Sequence, residues 1–325
     1  MITASRDAAA SPAPEAETPV ADPVHIPVLY SEVMFWLNPL PGGAYVDATV
    51  GPGGHARGIL AHSAPDGRLL ALDRDPQALR LAREALAAYG ERVVIAQGRH
   101  TDLAANARAY GFGRVNGVLL DLGVSSLQLD DPSRGFSFRE DGPLDMRMGP
   151  DVELTAEEVV NTWPEADLAR VIYEYGEERH SRRVARAIYA GRPWHSTREL
   201  ADRVARSVGY SGKIHPATRT FQALRIAVNN ELESLADVLP QAVELLVPGG
   251  RLAVISFHSL EDRIAKQFIV REARDCLCPP AMPKCVCGHV ARVRPLTKKP
   301  VFATDEEMAR NPRSRSARLR AVERI

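Results

Sequence analysis

The stretch AYVDATVGPGGHARGIL, Ala44 to Leu60, with the RLLALDRDP that follows from Arg68 to Pro76, decides the fold. It reads as an apolar strand, a turn carrying Gly51, Gly53 and Gly54, a helix, and a second strand ending in Asp73. That layout is a nucleotide-binding βαβ unit: glycines let the backbone approach a ligand, and an acid about 20 residues further on can accept both ribose hydroxyls. Working outward, candidate strands at Tyr45 to Ala48, Leu69 to Asp73, Val93 to Ala96 and Val115 to Leu122 alternate with helices, of which PQALRLAREALAAY is the clearest. Such alternation implies a parallel sheet with right-handed crossovers. From about Asp130 to Phe221 there are helical patterns and polar loops but no convincing strand, so a helical insertion is expected there. Strand character returns in RLAVISF, introduced by a turn at Pro248, Gly249 and Gly250, and two final strands are expected around Val301 and Leu319.

Gly51, Gly53 and Ala56 also satisfy a looser dinucleotide fingerprint, which keeps a nicotinamide or flavin enzyme in view. Asp47 separates the readings. A carboxylate at the end of the first strand, facing the glycine turn, would repel a pyrophosphate and attract the ammonium of S-adenosylmethionine. The plainer alternative is that Asp47 only caps the turn.

With 325 residues, 45% hydrophobic and 25% charged, the chain is long enough for one large domain with an insertion and has the composition of a soluble globular protein. No apolar run approaches the ~20 residues of a membrane span, and the N-terminus lacks the pattern of a signal peptide, so a cytoplasmic enzyme without membrane partners is expected. Residues 1–24, rich in Ala, Pro, Ser and Glu, have almost nothing to bury and read as a disordered tail.

The 41 Lys and Arg balance 41 Asp and Glu, but unevenly. Between Arg170 and Arg225 there are twelve basic against five acidic residues, and from Ala291 to the end ten against four. This is the footprint of a surface laid along phosphates, or else of solvated helix faces with internal ion pairs, as YGEERHSRRVARAI could form. All four cysteines, Cys276, Cys278, Cys285 and Cys287, lie in CLCPPAMPKCVC. Zinc is conceivable, but one intervening residue is tighter than the usual two to four, and the expectation is a reduced loop without metal.

Seven ordered blocks then resemble the RsmH (MraW) family of bacterial methyltransferases: HIPVL from His25, DATVGPGGH from Asp47, ALDRDPQAL from Ala71, DLGVSSLQLDDPSRGFSFREDGPLDMRM from Asp121, HPATRTFQALRIAVNNEL from His215, VISFHSLEDR from Val254 and NPRSRSARLR from Asn311. The likeness spans nearly everything from His25 to Arg324. It implies an α/β, Rossmann-like class I methyltransferase with a mostly parallel, doubly wound sheet, built from residues 25–130 and 222–325. A helical insertion over 131–221 would help recognise the substrate. It further implies S-adenosylmethionine as cofactor and, as reaction, methylation of N4 of a cytidine in the decoding region of 16S rRNA in the small ribosomal subunit.

Carried over by position, Gly53, Gly54 and His55 would hold the methionine end and Asp73 the ribose, while Asp121 and Gln128 would complete the pocket. His100, in GRHTDL where some relatives have an aromatic residue, would stack on adenine or contribute its backbone. No catalytic metal is implied, and the oligomeric state stays open, a homodimer being one option.

Cytosine N4 is a poor nucleophile because its lone pair is delocalised, so a group must orient the amine and accept charge or a proton. Asp121 is the candidate acceptor, although the Asp-Pro-Pro-aromatic motif of many amino methyltransferases is here Asp121, Leu122, Gly123, Val124. His258 and Ser259 follow the fifth strand and could line the same cleft, with Ser259 and Asp262 also fitting a helix capping box. Methylation at cytosine C5 needs a thiolate, and no cysteine precedes Cys276. Arg182, Arg183, Arg186, Arg219 and Arg225, with the Arg-rich terminus, would grip RNA around a base that has left its stack. The rivals are a nicotinamide-dependent oxidoreductase and a non-catalytic ribosome assembly factor.

Overall fold

A computed structural model describes residues 27–210, 214–279, 282 and 284–325; the expected tail and the start of the fold at His25 lie outside the described residues. Helix α1 (Tyr30–Leu37) leads into β1 (Ala44–Asp47), α2 (Gly54–His62), β2 (Arg68–Asp73), α3 (Pro76–Leu86), β3 (Val93–Gln97), α4 (Leu103–Ala109) and β4 (Val115–Asp121). Short α5 (Ser126–Asp130) opens a helical stretch of α6 (Ala156–Thr162), α7 (Glu165–Glu174), α8 (Ser181–Ala190), α9 (Thr197–Val208) and α10 (Thr218–Asn229). Then follow α11 (Glu231–Leu245), β5 (Leu246–Ser256), α12 (Ser259–Glu272), β6 (Val293–Pro295), α13 (Asp305–Arg310) and β7 (Arg318–Arg324).

The seven strands form one sheet in the order β3-β2-β1-β4-β5-β7-β6. The first five are parallel, and β7 pairs antiparallel with both β5 and β6. Successive strand side chains point to opposite faces, and the two cores divide accordingly. Val46, Leu70, Leu72, Val118, Leu120, Leu252 and Val254 pack under α4, α11 and α12. Tyr45, Leu69, Ala71, Leu119, Ala253 and Ile255 pack under α1, α2 and α3. Burial on both faces is why these strands read as continuous apolar runs. The reversal of order at β1 and β4 opens a crevice at the carboxyl ends of the strands, where doubly wound sheets bind ligands.

A third core belongs to the helical stretch, with Leu168, Ile172, Val184, Ile188, Leu200 and Leu224 fully buried. Its members continue along α10 to Val228, so a boundary at 222 would cut an unbroken helix. The chain turns instead at Asn230, whose left-handed conformation (φ 52°, ψ 40°) ends α10 and begins α11. Asparagine tolerates that region better than most residues.

The end of the chain departs from expectation. Val301 forms only an isolated bridge to Leu319, and the edge strand is Val293–Pro295. Pro295 lacks an amide hydrogen, which is tolerated at an edge. Strand β5 starts five residues before Arg251, with the Pro248-Gly249-Gly250 turn absorbed as an irregularity opposite Val115 to Gly117.

Candidate active site

The loops after β1, β2, β4 and β5 line an open cleft at the carboxyl ends of the strands. Its first wall is the glycine turn. Gly51 adopts φ 52° there, a conformation that glycine reaches without steric cost. A side chain on Gly54 would collide with Pro27, its Cβ coming within 2.4 Å of the ring, so the turn is closed from above by the segment before α1. Gly54 and His55 line the cleft, whereas Gly53 faces Leu86 and Ala82 of α3 and does not.

Asp73 ends β2 in the cleft. Its carboxylate accepts the amide hydrogens of Gly51 (2.9 Å) and Asp75 (2.9 Å), which fixes the group and leaves further lone pairs for a diol. Burial outweighs these bonds and raises its pKa to about 6. Two residues on, Asp75 caps α3 through Gln77 and accepts hydrogen bonds from Gln128 (2.9 Å) and Arg134 (2.8 Å). Gln128 therefore lines the cleft with its amide hydrogens already committed to Asp75 and the Met148 carbonyl, while its oxygen closes a capping box on Ser125. It braces the wall. His100 also lines the cleft, with burial and then the Arg74 charge pushing its pKa down to about 4, so the ring is neutral at physiological pH and can stack on a base.

At the end of β4, the Asp121 amide donates to Thr49 (2.7 Å). Its carboxylate turns Oδ2 toward His55 Nδ1 at 3.5 Å, while Oδ1 is buried with no hydrogen-bond partner among the described residues. His55 is held from its other side, Nε2 contacting the Val28 carbonyl at 2.9 Å, and its ring stacks on Tyr30. Burial alone would push the His55 pKa down, but Asp121 and then Asp47 more than offset this, and it is raised.

Asp47 is not in the wall. It is 1% exposed beneath the turn, and its Oδ1 accepts the Thr49 amide at 3.2 Å, so the plainer turn-capping reading fits. The backbone bends at Ala48 and Thr49 before reaching the ligand space, and burial lifts the Asp47 pKa to about 7.

Distant sequence closes the other side. Asn229, Glu231, Phe257, Glu261 and Arg313 line the cleft, and sequence reasoning assigned a role there to none of them. His258 and Ser259 are not lining residues. His258 itself caps α12, forming the capping box with Glu261 in place of Ser259 with Asp262, and the Ser259 hydroxyl donates to Glu177. The position three residues after the cap was the available signal for Glu261. Glu231, His258 and Glu261 gather closely, with Arg225 forming a bidentate pair to Glu231 (2.8 Å for each bond). Arg225 is thus committed to a carboxylate of the cleft wall and is not available to phosphates.

The two arginines of the lining are also paired, Arg74 with Asp151 (2.7 Å) and Arg313 with Asp130 (2.5 Å). Asp73 has only amide partners and the Asp121 carboxylate meets only the His55 ring, so the uncompensated charge is negative. Such a site disfavours a pyrophosphate and suits a cationic nucleoside.

Outside the cleft, Arg182, Arg183 and Arg186 are exposed on α8. The acids expected to neutralise them go elsewhere: Glu177 binds Arg263 and Ser259, and Glu178 pairs with Arg219. Arg186 has one loose contact, 3.6 Å to Glu165.

The family model described as the MraW methylase family matches residues 22–325. A protein named Ribosomal RNA small subunit methyltransferase H from Thermomicrobium roseum is 55% identical over 305 residues, covering 93% of this chain and 94% of its own. Its namesake from Geobacter sulfurreducens is 52% identical over 307 residues, covering 93% and 99%.

Proposed function

The chain belongs to the MraW methylase family, and from that premise we infer that it transfers a methyl group from S-adenosylmethionine to N4 of a cytidine in 16S rRNA of the small ribosomal subunit. The observation that carries the site assignment is the Asp121 carboxylate at the end of β4, which lines the cleft beside Gly54 and His55 with about a quarter of its side chain exposed.

The residues present suit the cofactor. Asp73 would accept the ribose hydroxyls, neutral His100 would stack on adenine, and Gly54, His55 and Asp121 would face the methionine end. The cofactor supplies an electrophilic methyl on a sulfonium. The Asp121 carboxylate would accept a hydrogen bond from the exocyclic amine, orienting its lone pair, and would take the proton released as the N–C bond forms, or pass it to water. His55, held by the Val28 carbonyl, fixes the orientation of the Asp121 carboxylate. None of the four cysteines lines the cleft, which leaves the thiolate needed for C5 chemistry unprovided.

The helical unit, from about residue 131 to Asn229, would carry the RNA on the exposed arginines of α8. Among the described residues no helix is long and apolar enough to cross a membrane, and a ribosomal substrate would place the reaction in the cytoplasm.

The test is single-turnover transfer from labelled S-adenosylmethionine to small subunits isolated from cells lacking the gene, with the product nucleoside identified by mass spectrometry. N4-methylcytidine is expected. C5-methylcytidine, or label in any other nucleoside, would refute the assignment.

A further inference from the structure

We propose that Cys276, Cys278, Cys285 and Cys287 bind a single zinc ion as four thiolates, in a structural site on the loop between α12 and β6. The four sulfurs lie within 4.8 Å of one another. Separations of 3.4 Å (Cys276 to Cys285), 3.6 Å (Cys285 to Cys287) and 3.9 Å (Cys276 to Cys287) bracket the edge of about 3.8 Å that a tetrahedron with Zn–S bonds of ~2.3 Å requires.

Neither disulfide bonding nor packing accounts for this convergence. A disulfide needs about 2.05 Å, and Cys276 approaches two different partners, so no exclusive pairing is singled out. Packing does not force the sulfurs together, because three of the four cysteines are exposed and Val286 and Val290 of the same loop point outward, 74% and 66% exposed. Mutual contact of four sulfurs at the surface gains little from burial, and as thiolates they would repel. A cation at the centre makes the arrangement attractive.

The backbone supports charged sulfur. Amide hydrogens of Leu277, Cys278 and Val286 point at the sulfurs of Cys287, Cys276 and Cys278, at 3.3, 3.4 and 3.4 Å. Each Cys-X-Cys arm thus receives amides from the other arm or from itself, and the two arms together supply a complete donor set. Four soft thiolates in a tetrahedron select zinc or iron–sulfur centres, and a cage this small holds one ion. The spacing of one residue, which favoured a metal-free loop in the sequence, is compensated because the fold brings two such arms face to face.

The ion would stand in for a core. Between α12 and β6 the described residues form no helix or strand, and the loop is tied back by few bonds, among them His289 to the Arg271 carbonyl (3.2 Å) and the Ala291 amide to Asp275 (3.4 Å). Small units without a hydrophobic interior are commonly held by metal or disulfides.

The test uses the full chain, free of affinity tag and purified without chelator. Expected are about one zinc per chain by elemental analysis and an X-ray absorption spectrum of four sulfurs at ~2.3 Å. Titration with a mercurial should release zinc in step with thiol modification, which needs no variant. Cys285→Ser with Cys287→Ser should lose the metal and the hydrogen-exchange protection of the loop while binding S-adenosylhomocysteine within about twofold of the parent, since the cleft is built elsewhere. Protein with four freely reactive thiols and no stoichiometric zinc, or with two disulfides on non-reducing mass spectrometry, would overturn the proposal.

Discussion

Arg225 and Arg186 stand on helices of the same unit, α10 and α8, yet their surroundings have little in common. Arg225 is held by both oxygens of Glu231, with Glu261 adding further negative charge, while Arg186 is 78% exposed with one carboxylate 3.6 Å away. A buried pair has given up its hydration, so removing one partner strands the other, whereas an exposed arginine remains solvated and free to exchange water for phosphate. At Arg225 the charge is structural. On the outer helices it is available for binding, and a count of basic residues along the sequence mixes the two.

Substitutions can break or sharpen this contrast. The largest effect is expected from Asp121→Asn, which keeps the shape but cannot take a proton: methyl transfer should fall about 10²–10⁴-fold in single-turnover assays, with little change in protein stability. Undiminished transfer would remove Asp121 from the chemistry.

Next comes Arg225→Met, expected to lower stability by about 3–5 kcal/mol in urea unfolding because Glu231 is left unpaired, with much of the loss recovered when Glu231→Gln is added. Arg186→Ala on the outer face should stay within about 0.5 kcal/mol. Equal losses at the two positions would erase the distinction.

The third test is pH. Asp47 and Asp73 have pKa values raised to about 7 and about 6, above the ordinary 3.8 of an unfolded chain, so between those limits the native state holds protons that the unfolded state has released. Stability of the free protein from these two groups is therefore greatest at the acid end and declines as pH rises from about 4 to 7. Cofactor affinity should run the other way. Asp73 accepts a diol best when ionised, so calorimetry should show binding tightening by about tenfold per pH unit at most, levelling above about pH 6. Affinity that is flat with pH would mean that Asp73 does not meet the ligand.

The smallest individual effects belong to the outer surface. Arg182→Ala, Arg183→Ala and Arg186→Ala should each weaken RNA binding a few-fold and reduce the salt slope by about one, leaving S-adenosylhomocysteine binding unchanged.

The parallel half of the sheet was legible because its signals are local. A strand, a glycine turn and an acid at fixed spacing all fall within Ala44 to Asp73, and burial on both faces gives runs such as Leu69 to Leu72. Gly54, His55, Asp73, His100, Asp121 and Gln128 do line one cleft. Gly53 and Asp47 were misplaced because chain position fixes neither side-chain direction nor depth. The far wall was missed for another reason. Asn229, Glu231 and Glu261 lie more than 100 residues from Asp121 in the chain, and a helix cap or an i,i+3 pair looks the same whether it faces solvent or ligand. The break at Asn230 falls between two helical segments joined without a glycine or proline to mark it, and the short edge strand at Val293 had too few residues to show an alternation.

Asn230 has a mechanical consequence. One residue joins α10 to α11, with Asn229 before it and Glu231 after it both in the cleft wall, so the joint has no slack. Any rotation of the helical unit carried along α10 therefore passes into α11 through a single left-handed residue, with no linker between the two helices to absorb it.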